Sequence, residues 1–285
     1  MWRKTSFLSL FLVLLLSFGV GAFPRVVIDQ YERTVTIPRE PLRIVSGAPS
    51  NTQILLDLGL AERIVGVTTF CPYEGAERVG PLIPLDLEKI ISLQPDLFLA
   101  HRLNGKEIVD KLTALGIPTI ALEGNTLAEI RDSVTIIGAA AGADEAAQRI
   151  VEKIDGDMAQ AQLGRETLPV KDLKVFFIVG IEPLWIAGRD SYLHEMIELA
   201  GGRHAGADVP GAWSQFDVER LVALNPDVIL TTQDPHVIYH HPQLRSLAAV
   251  QKGQVHRIDE DTYSQPVPGI FAGLAELTEI LANSH

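Results

Sequence analysis

The sequence predicts an α/β fold of two similar lobes, each a parallel sheet flanked by helices, joined by one long rigid helix. Three observations predict it. The stretch DLEKIISLQPDLFLA, starting at Asp86, returns 131 positions later (86 to 217) as DVERLVALNPDVILT, starting at Asp217. Around each copy, short apolar or β-branched runs alternate with helical patterns, which is how a parallel sheet covered by helices is written. Between the halves, residues 143–163 lack proline and carry Ala147, Ile150, Val151, Ile154, Met158 and Ala161 at helical spacing.

The elements follow in chain order. Arg3 and Lys4, an apolar run from Phe7 to Phe18 and small residues up to Ala22 have the form of a secretory signal peptide over 1–22, cleaved near Ala22–Phe23. The run is shorter than the ~20 residues a membrane span needs, so a soluble periplasmic protein is expected. Cys71 is the single cysteine, so no intramolecular disulfide forms. It stands too far from the leader to carry a lipid, and packing is its expected role. The first lobe, 23–142, begins with a hairpin over 26–37 that turns near Tyr31–Arg33. Strands follow at 43–46, 64–67, 97–100 and 118–122. Ser50 and Gln53 have the spacing of a capping box, and Gly59 supplies a helix stop. The connecting helix spans 143–165. At ~20 residues it is ~30 Å long and bends poorly, so lobe closure is expected to be small. The second lobe, 166–285, repeats the plan with strands at 174–179, 228–232 and 254–258 and a helix over 191–199 ended by Gly201-Gly202.

A formal net charge of −12 argues against nucleic acid and anionic lipid as partners. No dinucleotide or phosphate-binding glycine motif occurs, and no nucleophile elbow. His194-Glu195 opens like a zinc hydrolase helix, but Glu198-Leu199 follow where a second histidine is required. His236, His240 and His241 sit between prolines and read as surface loop residues. No catalytic, cofactor or metal-binding constellation is visible.

In the repeated stretch Leu87, Ile90 and Ile91, and again Val218, Leu221 and Val222, are spaced to face the core. Glu88 and Glu219 then point outward, one turn into helices capped by Asp86 and Asp217. A glutamate there complements the helix dipole by ~0.3–1 kcal/mol, which is reason enough for one copy. Loops at the carboxyl ends of the strands, where open α/β sheets bind ligands, offer Ser50, Asn51, Phe70, Tyr73, Leu82, His101 and Arg102 in the first lobe. The second offers Trp185, Trp213 and Tyr263. Three aromatic rings suit a large, flat or greasy ligand. Arg102 is either an anchor for carboxylate or phosphate or a solvated strand end, and His101 alternatively ligates iron.

IVSGAPSNTQILLDLGLAERIVGVT, followed by LEKIISLQPDLFLA, resembles the periplasmic substrate-binding proteins of ABC importers for cobalamin, haem and ferric siderophores, over essentially the whole mature chain. The resemblance implies a monomer with a ligand cleft between its lobes and a permease dimer as partner. It also implies that Glu88 and Glu219 match the one surface glutamate per lobe that pairs with permease arginines. Cobalamin binders place aromatics at the positions of Phe70, Trp185, Trp213 and Tyr263. Leu82 and His101 replace tryptophans of that group, and Ser264-Gln265 replace an acidic–basic pair. The expected function is capture of a metal chelate for an ABC permease, with no catalysis. An exported α/β enzyme or a ligand-sensing subunit with the same cleft are the alternatives.

Overall fold

A computed structural model describes residues 23–170 and 172–284, so the expected signal peptide lies outside the described residues. The hairpin is present as β1 (Arg25–Ile28) and β2 (Thr34–Ile37), paired antiparallel. Asp29 closes its turn: the carboxylate accepts the backbone N–H of Tyr31 and of Arg33.

The first lobe contains β3 (Ile44–Ser46), α1 (Pro49–Asp57), β4 (Ile64–Val67), β5 (Glu77–Arg78), α2 (Leu87–Ser92), β6 (Leu97–His101), α3 (Lys106–Ala114), β7 (Thr119–Leu122) and α4 (Leu127–Ala141). Its sheet runs β5-β4-β3-β6-β7, every pair parallel. Both faces are covered, so β6 reads as unbroken apolar sequence. Leu97 and Leu99 pack into one core while Phe98 and Ala100 pack into another on the opposite face, as the two-residue period of a strand requires.

The long helix α5 (Asp144–Glu166) follows. The second lobe contains β8 (Lys174–Ile181), β9 (Leu184–Ala187), α6 (Tyr192–Leu199), β10 (Arg203–His204), β11 (Trp213–Gln215), α7 (Val218–Leu224), β12 (Val228–Thr231), α8 (Pro235–His240), α9 (Ala248–Gln251), β13 (Val255–Arg257), α10 (Glu260–Tyr263) and α11 (Gly273–Asn283). Here β8, β12 and β13 are parallel, with β10 beside the first half of β8. The second lobe departs from the expected all-parallel plan, because β9 folds back antiparallel on β8 and β11 antiparallel on β9. A two-residue connection, Glu182-Pro183, permits this hairpin and leaves no room for a crossover helix.

Three local expectations need correction. The Ser50–Gln53 box does not form: α1 starts at Pro49, its cap position is Ala48 without a side-chain bond, and the Gln53 amide donates instead to Asp57. Proline at the first helical position has no N–H to satisfy, which removes part of the need for a cap. Ile91 is 40 % exposed, because it follows buried Ile90 by one residue and so turns to the flank of a six-residue helix. The segment holding His236 and His240 is the helix α8, capped by Asp234, and not a loop.

The helix α5 is embedded rather than free-standing. Ala147, Ile154 and Ala161 are buried at seven-residue intervals, in a core that also holds Leu97 and Leu99 of the first lobe and Val175, Phe177 and Leu281 of the second. One continuous apolar core therefore crosses the lobe boundary. Gly138 on α4 permits its close approach to α5, since a Cβ at that position would collide with the Cβ of Ala147. Gly138→Ala gains ~1 kcal/mol of helix propensity and costs ~1–3 kcal/mol by overpacking, so a net loss of stability is expected in a urea melt. An unchanged or raised midpoint would show that α4 and α5 separate easily.

Candidate functional site: a cleft between the lobes

The cleft has a volume of about 280 Å³ and takes walls from both lobes. From the first come Ala48, Pro49 and Ser50 after β3, then Leu82, then His101, Arg102 and Leu103 after β6, then Gly124 and Asn125 after β7. From the second come Tyr192 at the start of α6, Ala212 and Trp213, and Ser264, Gln265 and Pro266 after α10. Most of the first-lobe positions follow strand carboxyl ends because parallel strands all present those ends on one side.

Asn104 holds the first-lobe wall together. Its side-chain oxygen accepts the His101 N–H at 2.7 Å, and its amide donates to the carbonyls of Gly47 at 2.9 Å and Leu82 at 3.0 Å. Three separate loops thus share one buried side chain. Gly47 must be glycine, since a Cβ there would collide with the Asn104 side chain and crowd the Leu99 carbonyl. The His101 ring Nδ1 accepts from Leu103 N at 3.2 Å. Burial, reinforced by the adjacent Arg102 charge, lowers the His101 pKa to about 4 and keeps the ring neutral. Among the described residues the Arg102 side chain has no hydrogen bond or ion pair, and none of the cleft-lining residues is Asp or Glu.

On the opposite wall the Trp213 and Tyr192 rings meet edge to face, with centroids 6.1 Å apart and planes at 80°. The Tyr192 hydroxyl donates to the Tyr263 carbonyl at 2.9 Å, which fixes the ring. The lobes are tied directly behind this wall: the Glu195 carboxylate on α6 accepts the N–H of Leu127, first residue of α4, at 2.6 Å.

Of the residues expected at the site, Ser50, Leu82, His101, Arg102 and Trp213 line the cleft. The other five lie outside that lining. Tyr263 is 1 % exposed, and its hydroxyl lies 2.8 Å from the Gly273 carbonyl and from the Glu276 carboxylate, so it braces α11. Asn51 is buried and donates to Leu99 O, tying α1 to β6. Tyr73 packs on the core and donates to Ala61 O. Phe70 is 72 % exposed. Trp185 is on β9 opposite Gln215, on the same sheet face as Trp213, which stands opposite Ala187. Trp185 and Trp213 thus belong to strands and not loops. Sequence reasoning missed Tyr192, Asn104 and Asn125. Tyr192 begins an apolar helix and looks like core, and the only available signal for Asn104 was its place three residues after His101.

Glu88 and Glu219 occupy equivalent places. Each is exposed at the second position of its helix, α2 or α7, behind an aspartate whose carboxylate accepts the N–H three residues on: Asp86 from Lys89 at 2.9 Å and Asp217 from Arg220 at 3.0 Å. No group of three or more metal-ligating side chains exists among the described residues.

Two lobes on a shared core, with a cleft walled by both, have the architecture of a protein that encloses a ligand. The chain belongs to the periplasmic binding protein family, whose pattern matches residues 44–262. It is 33 % identical over 269 residues to the uncharacterised ABC transporter substrate-binding lipoprotein YvrC of Bacillus subtilis (strain 168), covering 90 % of this chain and 85 % of that one. It is 28 % identical over 193 residues to the vitamin B12-binding protein of Salmonella typhimurium, covering 66 % of this chain and 71 % of that one. The structure of the periplasmic vitamin B12 binding protein BtuF of Vibrio cholerae superposes with a TM-score of 0.74 at 25 % identity, over 85 % of this chain and 96 % of that one. The chain is thus a substrate-binding component of an ABC transporter and not an enzyme.

Proposed function

We infer that the chain works outside the cytoplasmic membrane as a monomer, captures a metal chelate in the interlobe cleft and hands it to an ABC permease dimer. The chelate is a corrinoid, a haem or a ferric siderophore. The observation that carries this reading is the pairing of walls: the exposed Trp213 ring backed by buried Tyr192 on one side, and on the other Arg102, which makes no hydrogen bond or ion pair among the described residues, beside a neutral His101. Aromatic faces supply apolar area at little entropic cost, and a guanidinium free of ion pairs is ready for an acidic or carbonyl oxygen. At about 280 Å³ the cavity is at the low end for a ligand site, so a macrocycle enters by one edge. The exposed apolar residues Ile83 and Leu103 extend the apolar surface next to Leu82 and Arg102. Relatives named as vitamin B12-binding favour the corrinoid within this class.

The test is titration of the purified chain with cyanocobalamin, hemin and ferrioxamine B, followed by tryptophan fluorescence and calorimetry. Saturable binding of one chelate is expected, weakened about 30-fold or more by Trp213→Ala, the usual cost of removing a buried aromatic anchor of ~2 kcal/mol. Silence towards all three, with saturable binding of a bare ion or a small polar solute, overturns the chelate reading.

A further inference from the structure

His101 is fixed at two points, and the second determines what it offers the ligand. Its backbone N–H is held by Asn104, and its ring Nδ1 accepts the N–H of Leu103 at 3.2 Å. A backbone amide only donates, so Nδ1 carries no proton, and the proton of a neutral imidazole is then on Nε2. Burial and Arg102 hold the ring neutral. A metal bonded at Nε2 needs that proton removed. Shifting it to Nδ1 sets two N–H groups against each other at Leu103 and breaks the turn after β6; losing it altogether leaves an imidazolate beside the apolar wall. The cleft contains no other histidine, cysteine, aspartate or glutamate among its lining residues. It is, in contrast, rich in donors: among the described residues Arg102 makes no hydrogen bond or ion pair, with the Glu123 carboxylate near enough to feel its charge, and Gln265 and Asn125 carry amides, that of Asn125 donating also to Glu123 at 3.2 Å.

We propose that the cleft grips its chelate by the organic periphery, with carboxylate or amide carbonyl oxygens accepting from His101 Nε2–H and from Arg102, and that the protein forms no bond to the metal. This rests on the chelate reading above and narrows it. It selects chelates whose metal is already fully coordinated and whose edge is studded with acceptors, and it disfavours those that need an axial ligand from the protein.

The experiment uses whichever of cyanocobalamin, hemin and ferrioxamine B saturates the unmodified chain, and follows its absorption spectrum and affinity in His101→Ala and His101→Gln. Glutamine reaches far enough to place an amide N–H near the former Nε2 but is a poor metal ligand. The expected result is a bound spectrum without a change of metal ligation, the same in all three proteins, with affinity reduced about ten-fold by alanine and returned to within about three-fold by glutamine. A spectral signature of a new metal bond that disappears in both variants overturns the proposal while leaving chelate capture intact. Equal affinity of alanine and unmodified chains also overturns it, since His101 then donates nothing. Absence of binding by all three chelates removes the chelate reading itself.

Discussion

A chain carrying both Glu88→Lys and Glu219→Lys is expected to bind its ligand as the parent does and to support no uptake. Both carboxylates are exposed, on helices that begin with the same aspartate cap, one in each lobe. Among the described residues neither glutamate has an ion pair: the neighbouring Lys89 pairs with Glu77, and Arg220 lies over the Phe216 ring. Two equivalent charges without an internal ion pair among the described residues are what a pseudo-twofold molecule needs to meet the permease dimer proposed above. Close interfacial charge pairs couple by ~1.5 kcal/mol or more, so losing two weakens docking by at least ~100-fold before the new repulsion is counted. Folding should tolerate the change. Lysine near a helix N-terminus costs ~0.3–1 kcal/mol, and the Asp86 and Asp217 caps remain. Uptake of labelled chelate into proteoliposomes containing the transporter, alongside a ligand titration, measures both halves. Undiminished uptake would remove these glutamates from the docking face.

The second large effect is on acid stability. His204 is 2 % exposed, its Nε2 has no hydrogen-bond partner among the described residues, and burial, with His194 alongside, lowers its pKa to about 4. His101 is lowered to about 4 as well, from an ordinary 6.5. The folded-state values lie below the unfolded ones, so on acidification the unfolded chain takes up protons first. Stability is therefore greatest above about pH 6.5 and falls as the pH drops towards 4. At 1.36 kcal/mol per unit, His204 accounts for roughly 3 kcal/mol and the more accessible His101 for less. That is a large share of the ~5–15 kcal/mol that holds a domain together. Carboxylates titrate over part of the same range, and in a chain of net charge −12 their protonation relieves repulsion, so the parent curve alone mixes the two effects. His204→Gln separates them: its urea midpoint should lose markedly less between pH 7 and pH 4.5 than the parent's. Identical losses would mean that His204 is not held neutral in the folded state.

The sequence by itself determined the architecture. The strands β3, β4, β6, β7, β8 and β12 were legible because buried parallel strands are nearly continuous apolar runs, and α5 because its apolar period persists for about four turns, from Ala147 to Ala161. The matched caps at Asp86 and Asp217 were legible because a helix start is a local event, settled within four residues. Five of the ten candidate cleft residues also line the cleft, because topology alone puts strand carboxyl ends on one side. Only the tertiary structure decided the rest. Trp185 and Trp213 belong to antiparallel strands whose pairing joins residues far apart in sequence. Tyr263 turned inward because its hydroxyl found the Gly273 carbonyl and Glu276 on the next helix, and Tyr192, almost as buried, backs the exposed Trp213 ring with its hydroxyl held by the Tyr263 carbonyl. An aromatic ring with a polar tip is equally suited to a core or a cleft, and which it joins depends on a hydrogen-bond partner that is not its neighbour in the chain.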